Sequence, residues 1–321
     1  MLLFHFNFPY HMNLNEALPI ELTSKPIFTQ YFKDYPPEIS EFTFTNLFAW
    51  QEHYNLLFME WRDHLLIFSK DFLGKWKASQ RRVNNPLFFF PPVGESPEIV
   101  IIELFKKYKS LEIHRADEPI ISKLQSTPDF SELNLKIIED RDNWDYVYDK
   151  SELIDLAGNK YRSKRRQLEK FLEHYKYEFY LISEEWLESC KNFQEKWCLI
   201  NECQKNKDLQ EEQNAIERLF NNYTELDYNG GILLVDDNTA GYTIGEMLNK
   251  NTNVIHIEKA HVYYQGSYQT INNFFLKECC SQDAEFVNRE QDLGIEGLRK
   301  AKQSYHPHHM VKKYIIYQDS K

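Results

Sequence analysis

Asn288-Arg-Glu-Gln-Asp292 places five polar or ionisable side chains in succession, directly after the short apolar stretch around Phe286 and Val287. A solvated loop rarely carries so dense a set of hydrogen-bonding groups. Glu285 to Val287 reads as a strand and Asn288 to Asp292 as a polar turn. Leu293, Leu298 and Ala301 then give helical apolar spacing through Lys302. Groups at a strand end are well placed for chemistry. Arg289 can meet a carboxylate or phosphate, and Asn288 can donate to a carbonyl. Such donors stabilise the oxyanion formed when an ester is attacked. Glu290, Asp292, Lys302 and Tyr305 extend the same candidate pocket. The competing reading pairs Arg289 with Glu258 or Glu290 and merely ties adjacent strands.

A second group lies on the segment from Val254 to His261. Strand alternation puts His256 and Glu258 on one face and Lys259 and His261 on the other. Glu246, on the preceding strand, can lie nearby, although the turn Asn249-Lys-Asn-Thr leaves the register open. A carboxylate beside a histidine can take a proton from an attacking amine or hydroxyl, so Glu246, His256 and Glu258 are candidates for base or orienter. A buried network of Glu with Lys or Arg that only fixes the fold is the alternative.

The densest basic run is Lys160, Arg162, Lys164, Arg165, Arg166 and Lys170, with Tyr161, Leu168, Phe171, Leu172 and Tyr175 as an apolar stripe at helical spacing. One face packs and the other stays positive. Such a face grips phosphates with salt-sensitive affinity, or is only a solvated helix beside acidic neighbours.

Metal and thiol chemistry have little support. His306-Pro-His-His has no cysteine or acidic ligand at matching spacing, so no metal is expected. Cys190, Cys198, Cys203, Cys279 and Cys280 form no Cys-x-x-Cys pair and no even framework, which fits a reducing, cytoplasmic setting. Cys279 and Cys280 read as packing residues of an apolar helix. The formal charge of -11 argues against indiscriminate nucleic-acid binding and leaves room for a selective polyanion contact. The apolar Met1 to Phe8 run is too short for a bilayer span and lacks a basic flank, so neither an anchor nor a signal peptide is expected.

The 321 residues, 42% of them hydrophobic and 15% aromatic, can fill a large core. Two halves show the same order of elements. In the first, a helix over Glu38 to Trp50 precedes a hairpin of Leu56 to Glu60 and His64 to Ser69. A strand at Leu87 to Phe90, a helix at Pro97 to Tyr108 and a returning strand at Leu111 to His114 follow. In the second, strands over Gly231 to Val235, Gly241 to Leu248 and Asn253 to Val262 precede a helix over Ser267 to Cys280 and the strand at Glu285. Glu112-Ile-His-Arg-Ala-Asp and Glu285-Phe-Val-Asn-Arg-Glu echo one another after the two crossover helices. The division is expected near Asn143, giving domains 1–142 and 143–321, the second being the ligand-binding half. The expected class is α/β (α+β), with two tandem GNAT-like domains, each a mixed, mainly antiparallel sheet flanked by helices.

The segments Leu156-Ala-Gly-Asn-Lys-Tyr-Arg-Ser-Lys-Arg-Arg-Gln-Leu-Glu-Lys-Phe, His256-Ile-Glu-Lys-Ala, Asn288-Arg-Glu-Gln-Asp-Leu-Gly and Leu298-Arg-Lys-Ala-Lys resemble the family of the phosphatidylglycerol lysyltransferase C-terminal domain. The resemblance runs from about Asn15 and includes Glu38-Ile-Ser-Glu-Phe-Thr-Phe-Thr-Asn-Leu-Phe. It implies a tandem GNAT-like fold akin to aminoacyl-tRNA-dependent transferases, including the Fem-type peptidoglycan enzymes. Charged tRNA is then the expected co-substrate, and an anionic lipid head group or another small molecule the acceptor. Unlike the membrane-bound lysyltransferases, the chain is expected to lack a transmembrane flippase portion. Acyl-CoA is the less favoured donor, because Tyr263-Tyr-Gln-Gly-Ser-Tyr-Gln stands where GNAT acetyltransferases present a glycine-rich pyrophosphate turn. On this reading Glu246, His256, Glu258, Asn288 and Arg289 are the catalytic candidates. Lys160, Arg162, Arg165, Arg166, Lys259, Glu290, Asp292, Lys302 and Tyr305 are the binding candidates. Alternatives are an acyl-CoA-dependent N-acyltransferase with a modified loop and a non-catalytic protein that binds RNA or an anionic ligand.

Overall fold

The structure, a computed structural model, describes residues 12–70 and 87–318; the Met1 to Phe8 run lies outside them. The chain divides into two compact units: Met1–Pro36, Trp50–Arg141 and Lys312–Lys321 form one, and Pro37–Ala49 and Asp142–Val311 the other.

The first unit is built on β1 (Leu18–Pro19), β2 (Leu57–Trp61), β3 (His64–Ser69), β4 (Leu87–Phe89), β5 (Leu111–Ala116) and β6 (Leu135–Glu139). The last strand of the chain, Tyr314–Gln318, enters between β5 and β6, giving seven strands in one sheet. Every residue of β3 and β5 is buried, as expected of strands covered on both faces. Helices α1 (Lys25–Asp34) and α2 (Phe44–Tyr54) precede β2 in the chain, and α3 (Pro97–Lys107) links β4 to the parallel β5. Pro97 suits the first turn of α3, and Ile101, Leu104 and Phe105 pack into the core with Leu66, Phe68 and Ile113. Two short helices, α4 (Glu118–Gln125) and α5 (Pro128–Glu132), lead to β6.

The second unit repeats this plan. Its strands are β7 (Asp145–Asp149), β8 (Tyr177–Leu181), β9 (Asn229–Val235), β10 (Asn238–Met247), β11 (Thr252–Ala260), β12 (Phe286–Asn288) and β13 (His309–Val311), in the order β13-β7-β12-β11-β10-β9-β8. The β9–β10 hairpin turns on Asp236 and Asp237 (φ 46° and 63°), as β2–β3 turns on Arg62 and Asp63 (φ 47° and 60°). Both pairs sit in the left-handed region that suits the twist of a two-residue hairpin. The helices are α6 (Lys150–Asp155), α7 (Arg162–His174), α8 (Glu184–Ile200), α9 (Lys207–Asn221), α10 (Ser267–Phe274) and α11 (Glu296–Gln303). A π-helical turn, Phe275–Cys279, extends α10 and buries Phe275 and Leu276.

The two sheets match position by position, with one exchange of chain. The strand beside β5 is the last of the protein, whereas the strand beside β12 is β7, the first after β6. The first sheet is therefore completed by a strand from the C-terminal half and the second by the strand that follows β6, a tandem GNAT-like architecture in which a closing strand of one half serves the other. The two echo sequences occupy equivalent places, on β5 and at β12. Two helix starts differ from expectation. The helix expected from Glu38 begins at Phe44, after a turn at residues 40–41 where Ser40 bonds Asp145 and with Thr43 Oγ1 accepting from the Asn46 N–H, and the last begins at Glu296 rather than Leu293.

Candidate functional site

The site grows from a place where two strands part. β11 and β12 pair in parallel through three residues only, Thr252–Val254 against Phe286–Asn288, after which β11 runs on to Ala260. Two charged bridges span the gap beyond: His256 with Glu290, and Glu258 with Arg289.

A bulge aims them. The β10–β11 register steps from Ile244 opposite Ile257 to Gly245 opposite Ile255, which leaves His256 as the extra residue. Gly245 permits this approach, since a Cβ there would lie 2.4 Å from the Val254 carbonyl oxygen. Beyond the bulge His256 reaches Glu290 and Glu258 reaches Arg289, while Lys259 reaches Glu212 of α9. Glu258 turns toward α10, where Asn272 Nδ2 donates to it at 2.7 Å. His256 turns toward Thr43, whose Oγ1 lies 3.4 Å from Nε2. His256 and Glu258 thus belong to separate networks.

In the first network, His256 Nδ1 lies 2.8 Å from Glu290 Oε1 and Nε2 lies 2.9 Å from Glu246 Oε1. Burial pulls the imidazole pKa down, but the hydrogen bonds to Glu246 and Glu290 outweigh it and hold the value at about 9. At neutral pH His256 is an imidazolium with both N–H groups engaged, and no lone pair is left to accept a proton. Burial pushes the Glu290 carboxyl up, against the opposing pull of His256. Its side chain keeps 20% of its exposure, against 10% for Glu246 and 12% for Glu258.

In the second network, Arg289 Nη2 donates to Glu258 Oε1 at 2.7 Å, and the guanidinium lies 4.8 Å from the centre of the Tyr305 ring and 5.7 Å from that of Tyr148. Nη1 is buried and makes no hydrogen bond of normal geometry. Lys164, from the basic run, sits on the same Tyr305 ring at 4.2 Å. Burial, and then the charge of Arg289, lower its pKa.

The turn that presents these groups is pinned from every side. Asn288 accepts from the Glu290 N–H at 2.8 Å and donates to Asp145 at 3.1 Å, so both ends of its amide are engaged. Lys302 Nζ donates to the carbonyls of Arg289 and Gln291. Burial lowers its pKa to about 8. Gln291 donates to Ser40 Oγ and Glu41 Oε1, each at 3.0 Å. Asp292 accepts from Tyr146 at 2.6 Å and from Arg299 Nε at 2.9 Å. Burial opposes its ionisation, but Arg299 and Tyr146 win and hold the carboxyl well below the usual range. Asp292 is thereby bound up in the scaffold of the turn.

The remaining expected binding residues scatter. Lys259 pairs with Glu212 of α9 at 2.7 Å and lies over Trp197 of α8, away from Arg289. Lys160 pairs with Glu152 at 2.7 Å on the surface. Arg165 caps the carbonyls of Leu156 and Gly158, whereas Arg162 and Arg166 are exposed and have no ion-pair partner among the described residues. The sequence reading left out Thr43, Tyr148, Asn272 and the inward turn of Lys164. Only Lys164 carried a signal, its place within the basic run. Cys198 and Cys203 are joined in a disulfide, a Cys-x4-Cys pairing made possible because the chain turns back after α8, where unpaired thiols were expected. Among the described residues no His, Cys, Asp and Glu side chains form a group that could hold a metal ion.

Residues 32–317 match the family model described as "Phosphatidylglycerol lysyltransferase, C-terminal". The chain belongs to that family. A conserved protein of unknown function from Bacteroides thetaiotaomicron VPI-5482 superposes with a TM-score of 0.83 at 27% identity, over 95% of this chain and 99% of that one. L-PGS from Bacillus licheniformis matches at 0.61 and 12% identity over 92% of each chain. FemX matches at 0.59 and 9% over 95% of this chain and 97% of that one. These two likenesses concern the fold. An uncharacterized protein of Mycoplasmoides gallisepticum is 27% identical over 192 residues, 58% of this chain and 59% of that protein, so the match spans about three fifths of that relative's length. Among the described residues of this family member no helix is long and apolar enough to cross a membrane.

The start of α10 is filled by the chain itself. Gly266 (φ 93°) opens the helix, and a Cβ there would meet the Gln167 carbonyl oxygen of α7 at 2.1 Å. Tyr175 accepts from the Gln265 N–H at 3.2 Å, and its ring meets Tyr264 edge-on. A backbone oxygen and two tyrosines stand where a pyrophosphate would need free N–H donors.

Proposed function

We propose that this family member moves an aminoacyl group from a charged tRNA to an amine or hydroxyl acceptor, at the gap between β11 and β12. The observation that carries the reading is Arg289, a buried guanidinium clamped by Glu258 on one arm, with Nη1 of the other arm beside Tyr305 and in no hydrogen bond of normal geometry. A fixed donor of this kind suits an ester carbonyl whose oxygen becomes negative during attack. The filled start of α10 supports a donor other than acyl-CoA, and the family membership supports the aminoacyl reading.

Glu290 takes the role of base. Its raised proton affinity and partial exposure suit it to accept a proton from the attacking group. His256, held by Glu246, orients it. The acceptor nitrogen or oxygen forms a bond to the ester carbonyl carbon and yields its proton to Glu290. The tetrahedral intermediate then collapses, the bond to the ribose oxygen breaks, and that oxygen leaves with the proton returned from Glu290. Holding the two substrates together accounts for much of the rate. Glu258 acts on the substrate only through Arg289.

The test supplies the protein with labelled, charged total tRNA and separate acceptors: phosphatidylglycerol vesicles and small amines. Label should move to one of them, with Glu290→Gln lowering the turnover number by roughly a hundredfold or more. Arg289→Lys should lose about a hundredfold. Acylation from acetyl-CoA with no transfer from any charged tRNA would replace this reading.

A further inference from the structure

Lys164 is a half-buried cation with no carboxylate partner among the described residues. It shares the Tyr305 ring with Arg289, so two positive charges flank one aromatic ring while Glu258 answers only the arginine. Around the gap, Glu246 and Glu290 hold His256, Glu258 holds Arg289, and the carbonyls of Arg289 and Gln291 hold Lys302 beside Asp145, so that of these cations Lys164 has neither a carboxylate nor a carbonyl partner among the described residues. Burial of a lone ammonium is unfavourable unless an anion joins it. The lowered proton affinity of Lys164 expresses the same strain.

We propose that Lys164 is the seat for the phosphodiester nearest the ester in the 3′ end of the donor RNA, placed so that Arg289 meets the carbonyl while Lys164 meets the phosphate. This rests on the aminoacyl-tRNA reading and adds a specificity-determining residue to it. RNA fits better than a lipid head group because the same helix carries Arg162 and Arg166, exposed and without ion-pair partners among the described residues. A polyanion engages both the inner seat and the outer arginines, whereas a single head group needs only the seat. The two positions have separate effects: the arginines grip the backbone generally, and Lys164 reads the terminus.

The test uses two uncharged RNA hairpins, one ending in an unpaired 3′-ACCA and one blunt, with affinities for the full chain measured by fluorescence anisotropy. Lys164→Gln should weaken the ACCA hairpin roughly tenfold and leave the blunt one unchanged. Lys164→Arg should restore most of the loss. Arg162→Gln with Arg166→Gln should weaken both hairpins alike. Circular dichroism and the melting temperature establish folding of each variant. Equal loss for both hairpins in folded Lys164→Gln, or no loss, overturns the seat, as does a loss confined to binding of phosphatidylglycerol vesicles. Wild-type transfer from charged tRNA by Lys164→Gln, at wild-type hairpin affinity, overturns the seat alone, whereas absence of transfer by the wild type overturns the function on which it rests.

Discussion

Glu258 holds Arg289 from one side and is held from the other: Oε1 accepts from Arg289 Nη2 and Oε2 from Asn272 Nδ2, both at 2.7 Å. The carboxylate therefore sets the guanidinium on the gap between β11 and β12. Removing either partner leaves a buried charge unanswered. Arg289→Met and Glu258→Gln should each lower stability by roughly 2–4 kcal/mol. The double variant should lose less than the sum, with a coupling of about 1–3 kcal/mol. Urea unfolding of the four proteins provides the measurement, and additive losses would show that the pair is not coupled.

The His256 bridge makes a pH prediction whose sign is fixed. Its folded pKa of about 9 lies above the ordinary 6.5, so the folded state binds the proton more tightly. The stability it contributes is complete below about 6.5 and is lost as the pH rises through 9, amounting to roughly 3 kcal/mol. Lys302, depressed to about 8, works in the opposite direction at alkaline pH, so the total curve mixes the two. The informative quantity is the stability difference between the wild type and His256→Gln. It should be largest near pH 6 and shrink toward pH 9. A difference independent of pH would mean that the imidazole is not charged in its bridge.

Much of the scaffold was legible because its signals are local. The apolar run in His64 to Ser69 and the apolar spacing in Pro97 to Tyr108 each depend on neighbours in sequence, and both elements formed. The order of elements in the two halves was legible for the same reason. The exchange of closing strands was not, because nothing within Tyr314–Gln318 specifies that it pairs with β5, about 200 residues earlier, rather than with its own half. At the site, Asn288 to Asp292 stood out by density of polar groups, and Arg289 does meet Glu258. The His256 bulge escaped because period-two reasoning assumes an unbroken ladder. Asn272 and Tyr148 escaped because their importance arises only once α10 and β7 pack beside Arg289.

The basic helix separates into parts with different jobs. Arg165 caps the Leu156 and Gly158 carbonyls, so Arg165→Gln should lower stability by about 1 kcal/mol. Arg162 and Arg166 are exposed, and their double replacement by glutamine should leave the melting temperature unchanged. If both meet RNA phosphates, the slope of log affinity against log salt should flatten by about 1.4 to 1.8. Filter binding at several salt concentrations checks this. An unchanged slope in the folded double variant would leave these arginines as solvated surface groups.

The start of α10 yields the last prediction. In a helix that binds a pyrophosphate, the first N–H groups must face open space, and the chain there must be free of bulk. Here the Ser267 N–H donates to the Tyr264 carbonyl at 3.0 Å, the Gln265 N–H to Tyr175, and the Gln167 carbonyl lies against Gly266. Coenzyme A would have to displace α7 from α10 to reach those donors. Calorimetry should therefore show no micromolar binding of coenzyme A. The same packing predicts that Gly266→Ala, strained by its φ of 93° and by the Gln167 contact, destabilises the fold by roughly 1–3 kcal/mol. A melting temperature unaffected by Gly266→Ala would mean that α7 does not close this helix start. Micromolar coenzyme A affinity lost on removal of the pyrophosphate would establish that the start is open, and would shift the donor from an aminoacyl-tRNA to an acyl thioester.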